Sequence, residues 1–462
     1  MIELSHIKKI HFVGIGGSGM SGIAEVLHNM GFTVSGSDIG ESDTVKRLKG
    51  KGIRVYLGHN KENVAHVETL VYSSAVTKEN EEVKEALRRR IPVIPRAEML
   101  AELMRMKFAV AVAGTHGKTT TTSMIASIFT SAGKDPTYVV GGRLQVEDSG
   151  AKLGKSIYLV AEADESDGSF LKLFPTIAVI TNIEDDHLDY YKTMDNLRQA
   201  FTDFGNKVPF YGSVIANLEC PETKTILPLF NKRVVTFSRY QKEANVRAEH
   251  IENALFKVGF DLVVDDQPSG RIDLNIGGMH NVSNALAAIA AALEIGIDIE
   301  TIRDGLAKFY LPDRRFQVLF YTKDYLVVDD YAHHPTEIEA ILNALKSGAF
   351  HRIIAVFQPH RFTRLELLMD RFATSFQAVD QLLLAPLYSA NQQAIENISS
   401  TTLLKKMNET GFNRAMAMES LEAVNPYLRK EIRKGDAVIF LSAGNLTHTA
   451  HQFARLMEET IK

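Results

Sequence analysis

The sequence predicts an α/β protein of three domains in series. Its 462 residues correspond, at roughly 150 residues per domain, to about three folding units. Short apolar runs alternate with helical patterns along the chain, the signature of parallel sheets covered by helices. Two glycine-rich loops each lie between a strand-like run and a helix-like one.

Composition narrows the class. Hydrophobic residues make up 45% and charged residues 23%, which excludes wholesale disorder. Lys and Arg total 52 against 56 Asp and Glu, a net charge of -4, so no basic footprint favours nucleic acid as a partner. The lone cysteine, Cys220, cannot form an internal disulfide and fits a reducing compartment. Residues 1–9 lack the apolar core of a signal peptide. The longest apolar run, 285–297, is broken by Glu294 and falls short of the ~20 residues that span a bilayer. A cytoplasmic location with no membrane partner is expected.

In the first hundred residues, strands are expected at 10–13, 53–56, 69–72 and 92–94. Helices are expected after Gly17, after Asp43 and around 81–90. A helix at 97–106 leads into an apolar strand at 108–113, where a second unit begins. That unit has strands at 157–160, 177–181 and 213–216, and an antiparallel pair, 260–264 and 271–276, joined by the turn-rich 265–270. An Ala-rich helix at 281–293 follows, and Leu311-Pro312-Asp313 closes the unit. The third begins near Arg314, with strands at 325–328, 353–357, 381–385 and 437–441. The expected domains are 1–106, 107–312 and 313–462: Rossmann-like, P-loop ATPase-like, and Rossmann-like again.

The sharpest motif is Gly114-Thr115-His116-Gly117-Lys118-Thr119-Thr120, between strand 108–113 and a helix at 119–132. Glycines let backbone N–H groups converge on phosphate oxygens, and the helix N-terminus adds positive potential. Lys118 can reach β- and γ-phosphates and the Thr119 hydroxyl can bind Mg²⁺. The loop is shorter than G-x-x-x-x-G-K-[ST], with Val112 at the first position of that pattern. The competing reading is a strand-to-helix turn with an incidental lysine.

The other loop, Gly14-Ile15-Gly16-Gly17-Ser18-Gly19, is G-x-G-x-x-G at the start of a βα unit, with Asp38 where a ribose-binding acid would sit. It calls for a pyrophosphate on a helix N-terminus, which NAD or a UDP-sugar would supply. A purely structural turn is the alternative.

Two acidic runs, 161–167 (AEADESD) and 181–187 (TNIEDDH), follow strands, where ligands collect in open α/β sheets. Glu162 and His187 could hold Mg²⁺ beside a γ-phosphate; two solvated acidic loops remain the plain alternative. Arg314 and Arg315 sit at the second hinge, where they could clamp phosphates. Arg361 and Arg364 are three apart and could seat a carboxylate in bidentate fashion. Single histidines such as His360 are as often surface or capping residues as functional ones.

Together these residues resemble the Mur ligase family. The resemblance runs over nearly the whole chain. It rests on residues 14–22 (GIGGSGMSG), 73–76 (SSAV), 114–120 (GTHGKTT), 161–167 (AEADESD), 181–189 (TNIEDDHLD), 280–287 (HNVSNALA), 330–337 (DYAHHPTE) and 359–364 (PHRFTR). It implies ATP-driven ligation of L-alanine to the lactyl carboxylate of UDP-N-acetylmuramate through an acyl phosphate. Gly14, Gly16, Gly17, Ser18, Gly19, Asp38 and Ser74 would take the UDP-sugar. Gly114, Thr115, His116, Gly117, Lys118, Thr119 and Thr120 would take ATP, with Asn281, Asn284, Arg314, Arg315 and Asp330. Thr119, Glu162 and His187 would hold Mg²⁺. His360, Arg361 and Arg364 would meet the amino acid. Lys118, Glu162, His187, Arg315 and His360 would serve the chemistry, the amine's proton going to His360 or to a phosphate oxygen. Closure of the last domain and a monomer or weak homodimer are expected.

Two stretches depart from the family pattern: Ser442-Ala443-Gly444-Asn445 stands for a usual G-A-G turn, and Asn217-Leu218-Glu219-Cys220 replaces an acidic pair. The rival readings are a tripeptide-recycling ligase of the same family, an NAD-dependent oxidoreductase, and a non-catalytic nucleotide-binding regulator.

Overall fold

A computed structural model describes residues 7–73, 75–144, 149–390 and 392–461. Among them are three sheets. The first is five-stranded and parallel, in the order β3-β2-β1-β4-β5: Arg54–Leu57, Thr33–Asp38, Lys9–Val13, Thr69–Tyr72 and Val93–Pro95. Helices Ser18–Asn29, Asp43–Gly50, Glu81–Arg88 and Arg96–Arg105 connect or follow its strands. The sequence reading lacks β2, because Thr33–Asp38 (TVSGSD) has little apolar content. Its small residues are required: a Cβ on Gly36 would stand 2.5 Å from the Ile15 side chain and 2.7 Å from the Phe12 carbonyl oxygen.

The central sheet has ten strands. Its parallel heart is β12-β11-β10-β6-β9-β7: Arg233–Ser238, Ser213–Asn217, Ile177–Ile180, Phe108–Ala113, Tyr158–Glu162 and Thr137–Leu144. At one edge β8 (Ser149–Lys152) pairs antiparallel with β7. At the other lie β13 (Val246–Ala254), β14 (Lys257–Val264) and β15 (Gln267–Leu274). The expected 265–270 turn is shorter than its composition suggests. Asp265 and Asp266, at φ 44° and 63°, make a two-residue turn on their own, and the strand resumes at Gln267. Strands β7, β8, β12 and β13 carry no expectation from the sequence. The third sheet runs β16-β17-β21-β18-β19-β20: Gln317–Tyr321, Tyr325–Asp330, Asp436–Leu441, Arg352–Phe357, Gln381–Leu384 and Ala415–Ala417. It is parallel apart from β16, an antiparallel edge that the sequence reading also lacks.

By their contacts the residues form two compact units. One runs to His250 and takes in Phe260–Asp273 and Val282–Tyr310; the other comprises Ile251–Gly259, Leu274–Asn281 and the chain from Leu311 on. In the first unit, helix Ser18–Asn29 packs on β7 and β8, where Gly22 leaves room: a Cβ there would lie 3.0 Å from that of Ala151. In the second, Phe372 and Phe376 pack tilted against Phe357 in the core beneath the third sheet. No helix among the described residues is long and apolar enough to cross a membrane.

One polar cluster interrupts the first domain's core. Glu82 and His11 are both fully buried, 3.7 Å apart. Ser37 donates to one Glu82 oxygen, and Asn63 donates to the other at 2.5 Å. Burial works against the charge, but His11 and the hydrogen bonds from Ser37 and Asn63 outweigh it and hold the carboxyl at about 2. Its stabilisation is present at neutral pH and is lost as pH falls from 4.5 towards 2. Glu82→Ala strands His11 and is expected to cost about 3–5 kcal/mol, read as an earlier denaturant transition at pH 7. An unmoved transition would mean that the cluster carries no stability.

Candidate functional site

The phosphate loop is shaped from beneath. Helix Lys118–Ser131 begins at Gly117, at φ 80°, with no side-chain cap and no acid in its first turn. Its first N–H groups therefore open onto the loop, as an anion seat needs. Gly114 adopts φ 138°, and a Cβ there would lie 2.0 Å from Thr181 Oγ1. The C-terminal end of β10 grips the loop: Thr181 donates to the His116 carbonyl at 2.6 Å, Asn182 Oδ1 accepts from His116 N–H at 2.8 Å, and the Asn182 carbonyl accepts from Thr115 N–H at 3.2 Å. The Thr115 hydroxyl accepts from Glu184 N–H at 2.9 Å. Asn284 also supports the loop. It is buried, accepts from Thr121 Oγ1 at 3.3 Å, and would stand 2.4 Å from a Cβ on Gly117. Asn281, three residues earlier on helix Met279–Glu294, donates to the Gly277 carbonyl at 2.7 Å.

Lys118 lies at the centre. Its ammonium donates to Gly114 O at 2.5 Å, Thr115 O at 3.2 Å and Glu165 Oε1 at 2.8 Å. Burial disfavours its charge, yet Glu165, Asp164 and Glu162 together raise its pKa above the ordinary value. Burial pushes the Glu165 carboxyl up to about 7 against the pull of Lys118. Desolvation opposes the charge of Asp164, whose side chain is 40% exposed, but Arg96, Lys118 and a bond from Ser166 hold it at about 2. His187 sits at φ 60° with Nε2 3.7 Å from Glu165 Oε1 and 3.5 Å from Asp186 Oδ2.

Glu162 Oε1 and Glu165 Oε2 are buried without a hydrogen-bond partner. Carboxylate oxygens and an imidazole are donor types that a hard divalent cation accepts, and Glu165 lies beside His187, but among the described residues Glu162, Glu165 and His187 are not gathered into one ligand cluster. Thr119, buried at the helix start, is the hydroxyl available from the loop.

In the first domain the glycine loop folds back on β2. Gly14, at φ 79°, and Ile15 donate to the Ser37 carbonyl at 2.8 and 3.0 Å, and Gly16 donates to Asp38 Oδ2 at 2.8 Å. Gly17 N-caps helix Ser18–Asn29, again with no side-chain cap and no acid in the first turn. Gly16 and Asp38 thus meet at the C-terminal ends of the paired strands β1 and β2. Ser74 and the Ser18 side chain lie outside the described residues.

The last domain gathers the remaining candidates. Arg314 (φ 59°) donates to the Ser442 carbonyl and lies 3.7 Å from Asp329. Arg314 and Arg315 stack over Tyr331 at 4.9 and 5.3 Å from its centroid, and Arg315 lies 3.9 Å from Glu337. Asp330 is engaged by backbone: it accepts from Phe316 N–H at 2.6 Å and Ala332 N–H at 2.7 Å, and burial pushes it to about 6. Arg361, at φ 68°, N-caps helix Phe362–Leu367, which contains the buried Arg364. Arg364 approaches His360 Nδ1 at 3.5 Å. The His360 ring stacks on Tyr388, 5.5 Å between centroids at 10°. Burial, then Arg364, Arg361 and Arg314, push its pKa down to about 3. Ser442 completes the turn without a first glycine, accepting from Gly444 N–H at 2.7 Å and donating to Gln358 at 2.9 Å. Glu219, in the other departing stretch, pairs with Arg239 through bonds of 3.0 and 2.7 Å.

Sequence reasoning did not single out Glu165, Arg96, Thr181, Asn182 or Tyr388. Glu165 lay inside a quoted acidic run whose members composition cannot rank. Arg96, which donates to Asp164 at 3.1 Å and packs against Gly19, opens a helix with no motif around it.

Comparison with known proteins places this arrangement. The family model described as Mur ligase family, catalytic domain, matches residues 9–108; that of the Mur ligase middle domain matches 112–292; that of the Mur ligase, glutamate ligase domain, matches 314–444. The UDP-N-acetylmuramate–L-alanine ligase of Anaeromyxobacter dehalogenans (strain 2CP-C) is 49% identical over 450 residues, covering 97% of this chain and 98% of that protein. The protein of the same name from Geobacter sulfurreducens is 48% identical over 455 residues, 98% of each chain. The crystal structure of the UDP-N-acetylmuramate–alanine ligase of Thermotoga maritima superposes with a TM-score of 0.83 at 28% identity, over 98% of this chain and 100% of that one. A murein peptide ligase from Psychrobacter arcticus shares the fold, with a TM-score of 0.72 at 24% identity over 96% and 98% of the two chains. Matched by family models along most of its length and by relatives nearly half identical end to end, the chain belongs to the Mur ligase family and has its three-domain α/β fold.

Proposed function

We propose that this protein joins L-alanine to the lactyl carboxylate of UDP-N-acetylmuramate at the expense of ATP, releasing ADP and phosphate, a step in peptidoglycan precursor synthesis. The observation that carries this reading is the 49% identity sustained over 97% of the chain to an enzyme of that name. The oxidoreductase reading of the glycine loop gains no support, and the tripeptide-ligase reading rests on likeness to murein peptide ligases at 24% and 29% identity, well below the 49% shared with the alanine ligase.

In this reading the glycine loop and Asp38 seat the UDP moiety, with Ser18 and Ser74. The loop from Gly114 to Thr120 seats the ATP phosphates. Asn284 supports that loop, and Asn281, Arg314, Arg315 and Asp330 serve the nucleotide. A carboxylate is a poor electrophile. Transfer of the γ-phosphoryl to it makes a mixed anhydride, and Lys118 and Arg315 offset the charge on the moving group. Thr119, Glu162 and His187 would hold Mg²⁺, which neutralises phosphate charge when bound. Arg361 and Arg364 hold the carboxylate of L-alanine and aim its amine. The amine attacks the acyl carbon, a tetrahedral intermediate forms, and phosphate departs. A ring held at about 3 is too weak a base to take the amine's proton, so a phosphate oxygen takes it and His360 stays a neutral binding partner.

ADP release measured with UDP-N-acetylmuramate and each amino acid in turn tests the assignment. L-alanine should support turnover, and omission of either substrate should abolish it; preference for the tripeptide would overturn it. Lys118→Ala should lower kcat about 10³-fold, and survival of activity would remove the lysine from its role. Arg364→Lys should raise the KM for L-alanine by about 10- to 100-fold with a smaller change in kcat.

His360 makes a pH prediction. Its unfolded form takes a proton near 6.5 and its native form only near 3, so stability is full above 6.5 and declines as pH falls through that window. His360→Gln should flatten the dependence of Tm on pH between 4 and 6.5. An unchanged slope would show that the ring titrates normally.

A further inference from the structure

We propose that Glu165 is a positioning residue for the phosphate-loop lysine: its carboxylate anchors the Lys118 ammonium in the loop and makes entry of the nucleotide depend on an accompanying cation. The proposal rests on the ATP-binding reading above and assigns to that site a residue outside its expected set.

An ammonium has three donors, and those of Lys118 meet three acceptors: Gly114 O, Thr115 O and Glu165 Oε1. A phosphate oxygen can reach the lysine only by displacing or sharing one of them. The two carbonyls belong to a loop pinned by Thr181 and Asn182. Glu165 is the charged member of the set and decides where the ammonium rests.

Its own backbone is fixed. The Glu165 carbonyl accepts from the Tyr191 hydroxyl at 2.5 Å and from Gly168 N–H at 3.0 Å. The residue is 1% exposed, and its second oxygen, Oε2, is buried with no partner. A half-satisfied buried carboxylate is costly. An oxygen kept empty beside the phosphate seat is an acceptor held for something that arrives with the substrate. Asp164 and Glu162 add their charges around the same ammonium. Asp164 shares its charge with Arg96, while Glu162 and Glu165 crowd the lysine, so a bare nucleotide meets carboxylates that an accompanying cation would offset.

Glu165→Gln keeps the shape and one acceptor and removes one charge. The binding of ADP in EDTA, without divalent metal, is the discriminating readout, followed by calorimetry on the full-length protein. The variant should bind this metal-free ADP on the order of tenfold tighter than the wild type. Its kcat for ATP-dependent ligation should fall about 10²-fold, with the KM for L-alanine unchanged, because the ammonium is no longer held in register. Glu165→Asp keeps the charge and loses the reach. It should bind metal-free ADP like the wild type and still lose kcat, which guards against misreading a folding defect. A purely structural glutamate would weaken binding in both variants. Affinity of Glu165→Gln for metal-free ADP equal to or below that of the wild type overturns the proposal. Wild-type protein that binds no ADP, with or without Mg²⁺, overturns instead the phosphate-loop reading beneath it.

Discussion

Burial of a single ammonium shapes the first unit of this protein. Lys118 is largely withdrawn from water, its side chain 19% exposed, and Glu165, Asp164 and Glu162 around it support its charge. Each of those carboxylates needs its own support. Asp164 takes Arg96, Glu165 takes the lysine itself, and Glu162 lies against the bare Cα of Gly141, where a Cβ would be 2.5 Å from its oxygen. The chain of dependence reaches from the central sheet to the first helix of the N-terminal domain, because Arg96 also packs against Gly19. The two loops read as phosphate seats are therefore linked by charge, through Arg96 and Asp164, as well as by the packing of helix Ser18–Asn29 on β7 and β8.

Parallel sheets explain why these groups meet at all. Strands β6, β9 and β10 are neighbours, and their C-terminal ends deliver the phosphate loop, the acidic run after Glu162, and Thr181 with Asn182. β6 and β10 are apolar throughout, β9 is apolar up to its last residue, Glu162, and each functional segment begins where its strand ends, as in open α/β sheets. The third sheet repeats the device. β17 ends at Asp330 and β18 at Phe357, just before the segments carrying Tyr331 and His360.

How much of this the sequence shows depends on the physical signal. Strands buried on both faces, such as Phe108–Ala113, and helices with strong periodicity are legible because burial dictates composition. Loops with glycines at forced conformations, Gly14 and Gly117, are legible for the same reason. Edge strands such as β8 and β16 are not, since half-exposed residues carry little pattern. Nor is the ranking within an acidic run. Glu162, Asp164 and Glu165 look alike in the sequence, and only packing places Asp164 near 2 and Glu165 near 7. Asp330 shows the converse: its position in a motif suggests a ligand contact, while its two oxygens are engaged by the backbone of Phe316 and Ala332.

The same logic of field and burial governs the last domain with the opposite sign. There burial, and then Arg364, Arg361 and Arg314 around the ring, drive the proton from His360. An amine must be neutral to attack a carbonyl carbon, and an ammonium bound beside that cluster would meet the same buried, cationic surroundings that empty the imidazole. In the proposed reading, arginines that hold an amino acid by its carboxylate also bias its other end towards the reactive form. A lysine at either position could hold the carboxylate, but as a point charge without the planar fork that fixes the substrate's orientation. Left-handed backbone at Arg361 is consistent with this demand: the chain turns at the helix N-cap to present one guanidinium before the helix and the other within its first turn.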